Sequence, residues 1–112
     1  MTVLHAGALA PSPSFDVPSR LEAFCREADF DRPTLVLDVD RMERQYRALK
    51  AGLGPADIHY AVKANPHPAL LRRLVALGAN FDAASTGEIA LCLDAGATPD
   101  RISFGNTIKR AR

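Results

Sequence analysis

The sequence predicts an α/β fold in which short strands alternate with helices around a parallel sheet. Three observations carry this. Short runs of β-branched and aliphatic residues recur between residues 34 and 104. Apolar residues at helical spacing follow each of the first three runs. Glycines stand where each helix should stop: Gly52 and Gly54, then Gly78, then Gly96. Alternation with short connections is the signature of parallel βαβ units.

The elements follow in order. Residues 1–20 carry Pro11, Pro13 and Pro18 without apolar periodicity and are expected to be extended or mobile. Leu21 to Ala28 suits a short helix, with Ser19 near its N-cap. Residues 1–32 are therefore assigned to an N-terminal extension or linker, and residues 33–112 to β/α units. Thr34 to Val39 reads as the first strand. Asp40 and Glu43 resemble a capping box, and Met42, Tyr46, Leu49 and Leu53 form a helical stripe. Ile58 to Lys63 is the second strand. Pro68 suits a first helical turn, and Leu70, Leu71, Leu74, Val75 and Leu77 form the stripe behind it. Asn80 to Ala84 is the third strand. Ser85 and Glu88 fit the S-x-x-E capping box, with Glu88 reaching back to Ser85. Ile89, Cys92 and Leu93 give the next helix an apolar side. Arg101 to Phe104 is the fourth strand, followed by Gly105-Asn106, which can form a turn or approach a ligand.

From Lys63 to Asp82, and again from Asp82 to Phe104, the spacing is roughly 20 residues, a unit that suits a barrel of repeated β/α pieces. A complete (β/α)₈ barrel typically needs ~250 residues. The chain has 112, so periodicity leaves two readings: part of a barrel, or a small open α/β domain.

Composition narrows the function classes. A formal net charge of +1 gives no electrostatic footprint for nucleic acid or an anionic membrane. The basic tail of Lys109, Arg110 and Arg112 reads as solvated surface. Cys25 and Cys92 have no paired spacing, so both are expected to be buried small hydrophobes, and a reducing compartment is the simplest setting. No metal-ligand pattern occurs. The start lacks the basic residues of a signal peptide, and no apolar run approaches the ~18 residues of a membrane span. The expected location is the cytoplasm.

Lys63 is the most informative residue. It ends an otherwise apolar strand, on the face expected to carry His59 and Ala61. Barrel enzymes keep their active sites at such strand ends. A lysine amine there can attack a carbonyl, and Ala61 leaves room for a flat ring. The plainer alternative is a lysine snorkelling at a strand end. Asp82, at a matching height on the next strand, can pair with an ammonium or simply serve as a surface acid. Asn65 can bond its own loop backbone. His59 and His67 are read as structural.

A resemblance joins these residues. Tyr60-Ala61-Val62-Lys63-Ala64-Asn65 resembles the cofactor-lysine motif of the fold-type III pyridoxal-phosphate decarboxylases, the ornithine/diaminopimelate family. Phe81-Asp82-Ala83-Ala84-Ser85 is similar to the FDxAS segment of ornithine decarboxylases, and Glu88 falls inside the following S-x-x-E as it does there. Residues 101–109, RISFGNTIK, resemble the family's next strand and its "GN–K" ending. The four motifs stand in order across about residues 33–110.

The resemblance implies the N-terminal part of a pyridoxal-phosphate-binding (β/α)₈ TIM-type barrel, incomplete in this chain. Lys63 would hold the cofactor as a Schiff base, and Ala61, Asp82 and Glu88 would line the cofactor pocket. Decarboxylation of a basic amino acid is implied, ornithine to putrescine first, in a head-to-tail homodimer. Diaminopimelate decarboxylation, a non-catalytic cofactor-binding homologue and a gene remnant are the alternatives. The family's glycine-rich phosphate loop and its substrate-site cysteine lie beyond Arg112. Neither Cys25 nor Cys92 matches that cysteine, so the chain by itself is expected to be inactive.

Overall fold

The structure is a computed structural model that describes residues 19–105. The expectations for the proline-containing start, for Asn106 and for the basic tail lie outside the described residues. The chain divides into two compact units between Leu37 and Asp38.

In the first unit, helix α1 (Ser19–Glu27) forms where a short helix is expected. Arg26 and Glu22 pair one turn apart on it, and the rings of Phe24 and Phe30 lie 6.3 Å apart. Two expectations fail here. Cys25 is exposed rather than buried, because it stands on a stretch of α1 whose residues from Glu22 to Glu27 all face solvent. The strand expected over residues 34–39 does not form. A strand needs a neighbour for its N–H and C=O groups. Among the described residues none pairs with this segment, and Leu35 is 82% exposed.

The second unit begins with helix α2 (Val39–Leu53). Asp38, not Asp40, caps it: the extended Asp38 accepts a hydrogen bond from the Arg41 N–H at 3.0 Å. Asp40 instead lies in the first turn, where a carboxylate complements the helix dipole. Glu43 is therefore freed from the expected capping box. It accepts from Arg47 one turn on, and from Arg73 of the next helix. These guanidinium groups, Arg47 foremost, hold its carboxyl below the usual carboxylate range. Met42 and Tyr46 pack toward the core. Leu49 and Leu53 remain 52% and 45% exposed, so only the first half of the expected stripe is covered.

Then follow strand β1 (His59–Ala61), a 3₁₀ turn (Val62–Ala64), helix α3 (Pro68–Ala76), strand β2 (Asn80–Ala83), helix α4 (Thr86–Asp94), a second 3₁₀ turn (Pro99–Arg101) and strand β3 (Ile102–Phe104). The strands form one parallel sheet in sequence order. Tyr60 stands beside Phe81 and Phe81 beside Ile102; one residue on, Ala61, Asp82 and Ser103 align. Because side chains alternate along a strand, the sheet has two unlike faces. Phe81 and Ala83 are fully buried, while Asp82 between them is exposed. The Tyr60–Phe81–Ile102 row packs with Val62, Leu71, Leu74 and Cys92. The Ala61–Asp82–Ser103 row lines the open face.

Helices α3 and α4 leave by the same device. Gly78 and Gly96 take φ of 85° and 98°, which only glycine adopts at little cost. The next amides, of Ala79 and Ala97, donate back to the Leu74 and Cys92 carbonyls at 3.0 Å each. This is the Schellman closure, and both alanines enter the core. On α4 the buried side is Cys92 with Leu91 rather than Leu93, which is 44% exposed. No helix among the described residues is long and apolar enough to cross a membrane.

This packing makes an unequal pair of leucines. Leu71 is fully buried, so Leu71→Ala should cost about 2–5 kcal/mol by lost transfer energy and a residual cavity. Leu93→Ala should stay within about 0.5 kcal/mol. Urea unfolding midpoints of the two variants check the contrast.

Candidate functional site

The carboxyl ends of the three strands bring most of the expected site residues to one edge of the sheet. Lys63 does not end a strand. β1 stops at Ala61, and Lys63 is the middle residue of the 3₁₀ turn that follows. The expected strand alternation therefore does not extend to it. What fixes the turn is its neighbour Val62, which is fully buried in the core. Lys63 itself is exposed. Among the described residues its amine has no ion-pair or hydrogen-bond partner.

Asparagine and histidine side chains shape the exit from the turn. The Asn65 side-chain oxygen accepts from the His67 N–H at 3.0 Å, the local loop bond expected of it. His67 Nδ1 accepts from the Ala69 N–H at 3.2 Å and so caps α3, with Pro68 following at the first helical position. The structural reading of His67 thus has a definite form.

Ala61 and Asp82 are register partners on the open face. A methyl beside Asp82 keeps that part of the sheet low. The Asp82 carboxylate lies over Gly105, just past β3: a Cβ at Gly105 would stand 2.8 Å from Asp82 Oδ1. Gly105 thus makes a close approach to the Asp82 carboxylate. Further down the same face, Asn80 lies 3.5 Å from His59 Nε2 and accepts from Arg101 at 3.4 Å.

Glu88 behaves differently from the expectation. Ser85 Oγ accepts from the Glu88 N–H at 3.2 Å, as an N-cap should. The Glu88 carboxylate, however, accepts from the Ala84 N–H at 2.7 Å, one residue before the cap, instead of reaching Ser85. It secures the backbone between Asp82 and α4. Its charge, after burial as the larger cause, raises the Cys92 thiol above its ordinary value. Among the described residues neither Asp82 nor Glu88 forms an ion pair with Lys63. The lysine, Ala61 and Asp82 are brought together along the strand ends, while Glu88 turns its carboxylate to the backbone.

Residues 39–112 match the family model described as pyridoxal-dependent decarboxylase, pyridoxal binding domain. The chain belongs to that family. It is 38% identical over 80 residues to the lysine/ornithine decarboxylase of Selenomonas ruminantium, covering 71% of this chain and 20% of that protein. It is 42% identical over 81 residues to the chloroplastic ornithine decarboxylase of Nicotiana glutinosa, covering 72% and 19%. The Vibrio vulnificus lysine/ornithine decarboxylase, solved with putrescine, superposes with a TM-score of 0.70 at 43% identity, covering 81% of this chain and 24% of that one. The chain thus spans about a fifth of the length of the curated relatives it matches. Pyridoxal phosphate is the cofactor of the domain to which residues 39–112 belong, and the residues present fit it. An exposed amine with no partner among the described residues suits its aldehyde, and the small Ala61 leaves the adjacent face open to a flat ring.

Sequence reasoning missed one polar contact at this site. Tyr60, read from the sequence only within the cofactor-lysine motif, donates its hydroxyl to the Asn65 carbonyl at 3.1 Å, across the Lys63 turn. A tyrosine rather than phenylalanine in a buried row was the available signal, since a buried phenol usually finds a partner. The cap geometry at α4 makes a prediction. Ser85→Ala should cost about 1 kcal/mol. Glu88→Gln, which keeps an oxygen acceptor for the Ala84 N–H, should be milder than Glu88→Ala. Thermal unfolding of the three variants checks this order.

Proposed function

We propose that the protein carrying this chain is a pyridoxal-phosphate-dependent decarboxylase of basic amino acids, with ornithine the first substrate to test. The observation that supports it most directly is Lys63 itself. Within the family-matched residues it is an exposed amine, without a partner among the described residues, on a turn pinned by a fully buried valine at the carboxyl end of a parallel strand. The cofactor supplies an electron sink for the pair left on the α-carbon when carbon dioxide departs. Lys63 would hold the cofactor covalently through its exposed amine. Ala61 leaves space beside it. Asp82 places a carboxylate beside Ala61 on the open face. Glu88 holds the backbone at Ala84 through its carboxylate, a role compatible with lining the cofactor pocket.

Ornithine is preferred because relatives named ornithine decarboxylase recur; the Vibrio vulnificus lysine/ornithine enzyme is solved with putrescine and with cadaverine, so lysine is tested beside it. Putrescine is the product of ornithine decarboxylation. A homodimer is proposed with this activity, as is division of the chain into an extension over residues 1–32 and barrel units from residue 33.

Carbon dioxide release from carboxyl-labelled ornithine, lysine and diaminopimelate tests the reading in the native protein that carries this sequence. Release from ornithine, or from ornithine and lysine, is expected, and Lys63→Ala should lower it to background. Release from diaminopimelate alone would transfer the protein to the other branch. No release from any of the three would refute the proposal.

A further inference from the structure

We propose that Tyr60 is a positioning residue for Lys63, acting through a strap of hydrogen bonds that runs from the buried face of β1, around the lysine turn, to the first turn of α3. The inference rests on the reading of Lys63 as the cofactor lysine.

Three bonds make the strap. Tyr60 Oη donates to the Asn65 carbonyl at 3.1 Å. The Asn65 side chain accepts from the His67 N–H at 3.0 Å. His67 Nδ1 accepts from the Ala69 N–H at 3.2 Å. Lys63 lies midway between Tyr60 and Asn65, so the first bond closes a ring of backbone around it. The base of the ring does not move freely. The Tyr60 ring packs against the core cluster, and Val62 is fully buried within it. The far end is α3, anchored by Leu70, Leu71 and Leu74.

A 3₁₀ turn of three residues has poor hydrogen-bond geometry of its own. Among the described residues no packing covers the exposed Lys63 side chain. An amine that must meet an aldehyde in one orientation therefore depends on how well its backbone is held. Tyr60 supplies that hold from the core-packed row of β1. Burial raises its phenol above the ordinary value, so it stays protonated and remains a donor.

Tyr60→Phe keeps the ring and its packing and removes only the donor. In the native protein, free of cofactor, amide exchange at Lys63, Ala64 and Asn65 should speed up about three- to tenfold, the factor expected for one net hydrogen bond. Exchange in β2 and α4 should not change. On adding pyridoxal phosphate and borohydride, the labelling rate of Lys63 should fall by a similar factor, with the urea midpoint close to that of the unchanged protein. Asn65→Leu keeps the backbone carbonyl that Tyr60 uses but removes the acceptor for His67. It should raise exchange at His67 and Ala69 with a smaller rise at Lys63.

Unchanged exchange and labelling in Tyr60→Phe, with Lys63 still labelled in the unchanged protein, would overturn the positioning role and leave the cofactor-lysine reading standing. A lowered midpoint with exchange rising evenly through the sheet would also overturn it, since that marks general stability alone. Failure to label Lys63 in the unchanged protein would remove the cofactor-lysine reading and the positioning role with it.

Discussion

The row Tyr60–Phe81–Ile102 is the constraint from which the remaining structure follows. These three residues align across a parallel sheet, and Phe81 at the centre has no exposed surface. A one-residue slip of β2 would put Asp82 among Leu71, Leu74 and Cys92, where an unpaired carboxylate is costly to desolvate. The register that buries Phe81 is the same register that sets Asp82 beside Ala61 on the open face. Core packing and site geometry are thus one choice made once. Parallel strands add direction: every carboxyl end lies on the same edge, so the Lys63 turn, the Ser85 cap and Gly105 all follow strand ends there.

The fold was legible wherever local chemistry and burial agree. Ser85 and Glu88 announced the start of α4, Pro68 the start of α3, and Gly78 and Gly96 their closures, because each residue type meets a need of the backbone at that point. The aliphatic run at residues 34–39 was misleading for the opposite reason. Its composition suits a strand, but a strand is defined by its neighbour, and no neighbour is present among the described residues. Asp38 then outcompeted Asp40 as the cap of α2, and Glu43 was left to tie that helix to α3 through Arg73. Leu93 was likewise assigned to the core on type alone, whereas the helix rotates Leu91 and Cys92 inward.

Lys63 does follow the carboxyl end of a strand, as expected, but in a different conformation. Strand alternation ended two residues too early for it to apply, since the backbone turns at Val62. Asn65 and His67 could be assigned local roles from their residue types, and their hydrogen bonds fulfil those roles. Tyr60 could not, because its contact depends on a turn whose shape is set by burial of Val62. Glu88 was in the expected cap but one amide away from the expected partner, so its carboxylate holds the backbone at Ala84.

The central claim is that Lys63 is the residue through which this pyridoxal binding domain holds its cofactor. The most direct measurement is borohydride reduction of the native protein in the presence of pyridoxal phosphate, followed by peptide mapping by mass. The account predicts a single pyridoxyl adduct, on Lys63, while Lys50 and Lys109 stay unmodified. An unmodified Lys63, or label spread evenly over the three lysines, would contradict it.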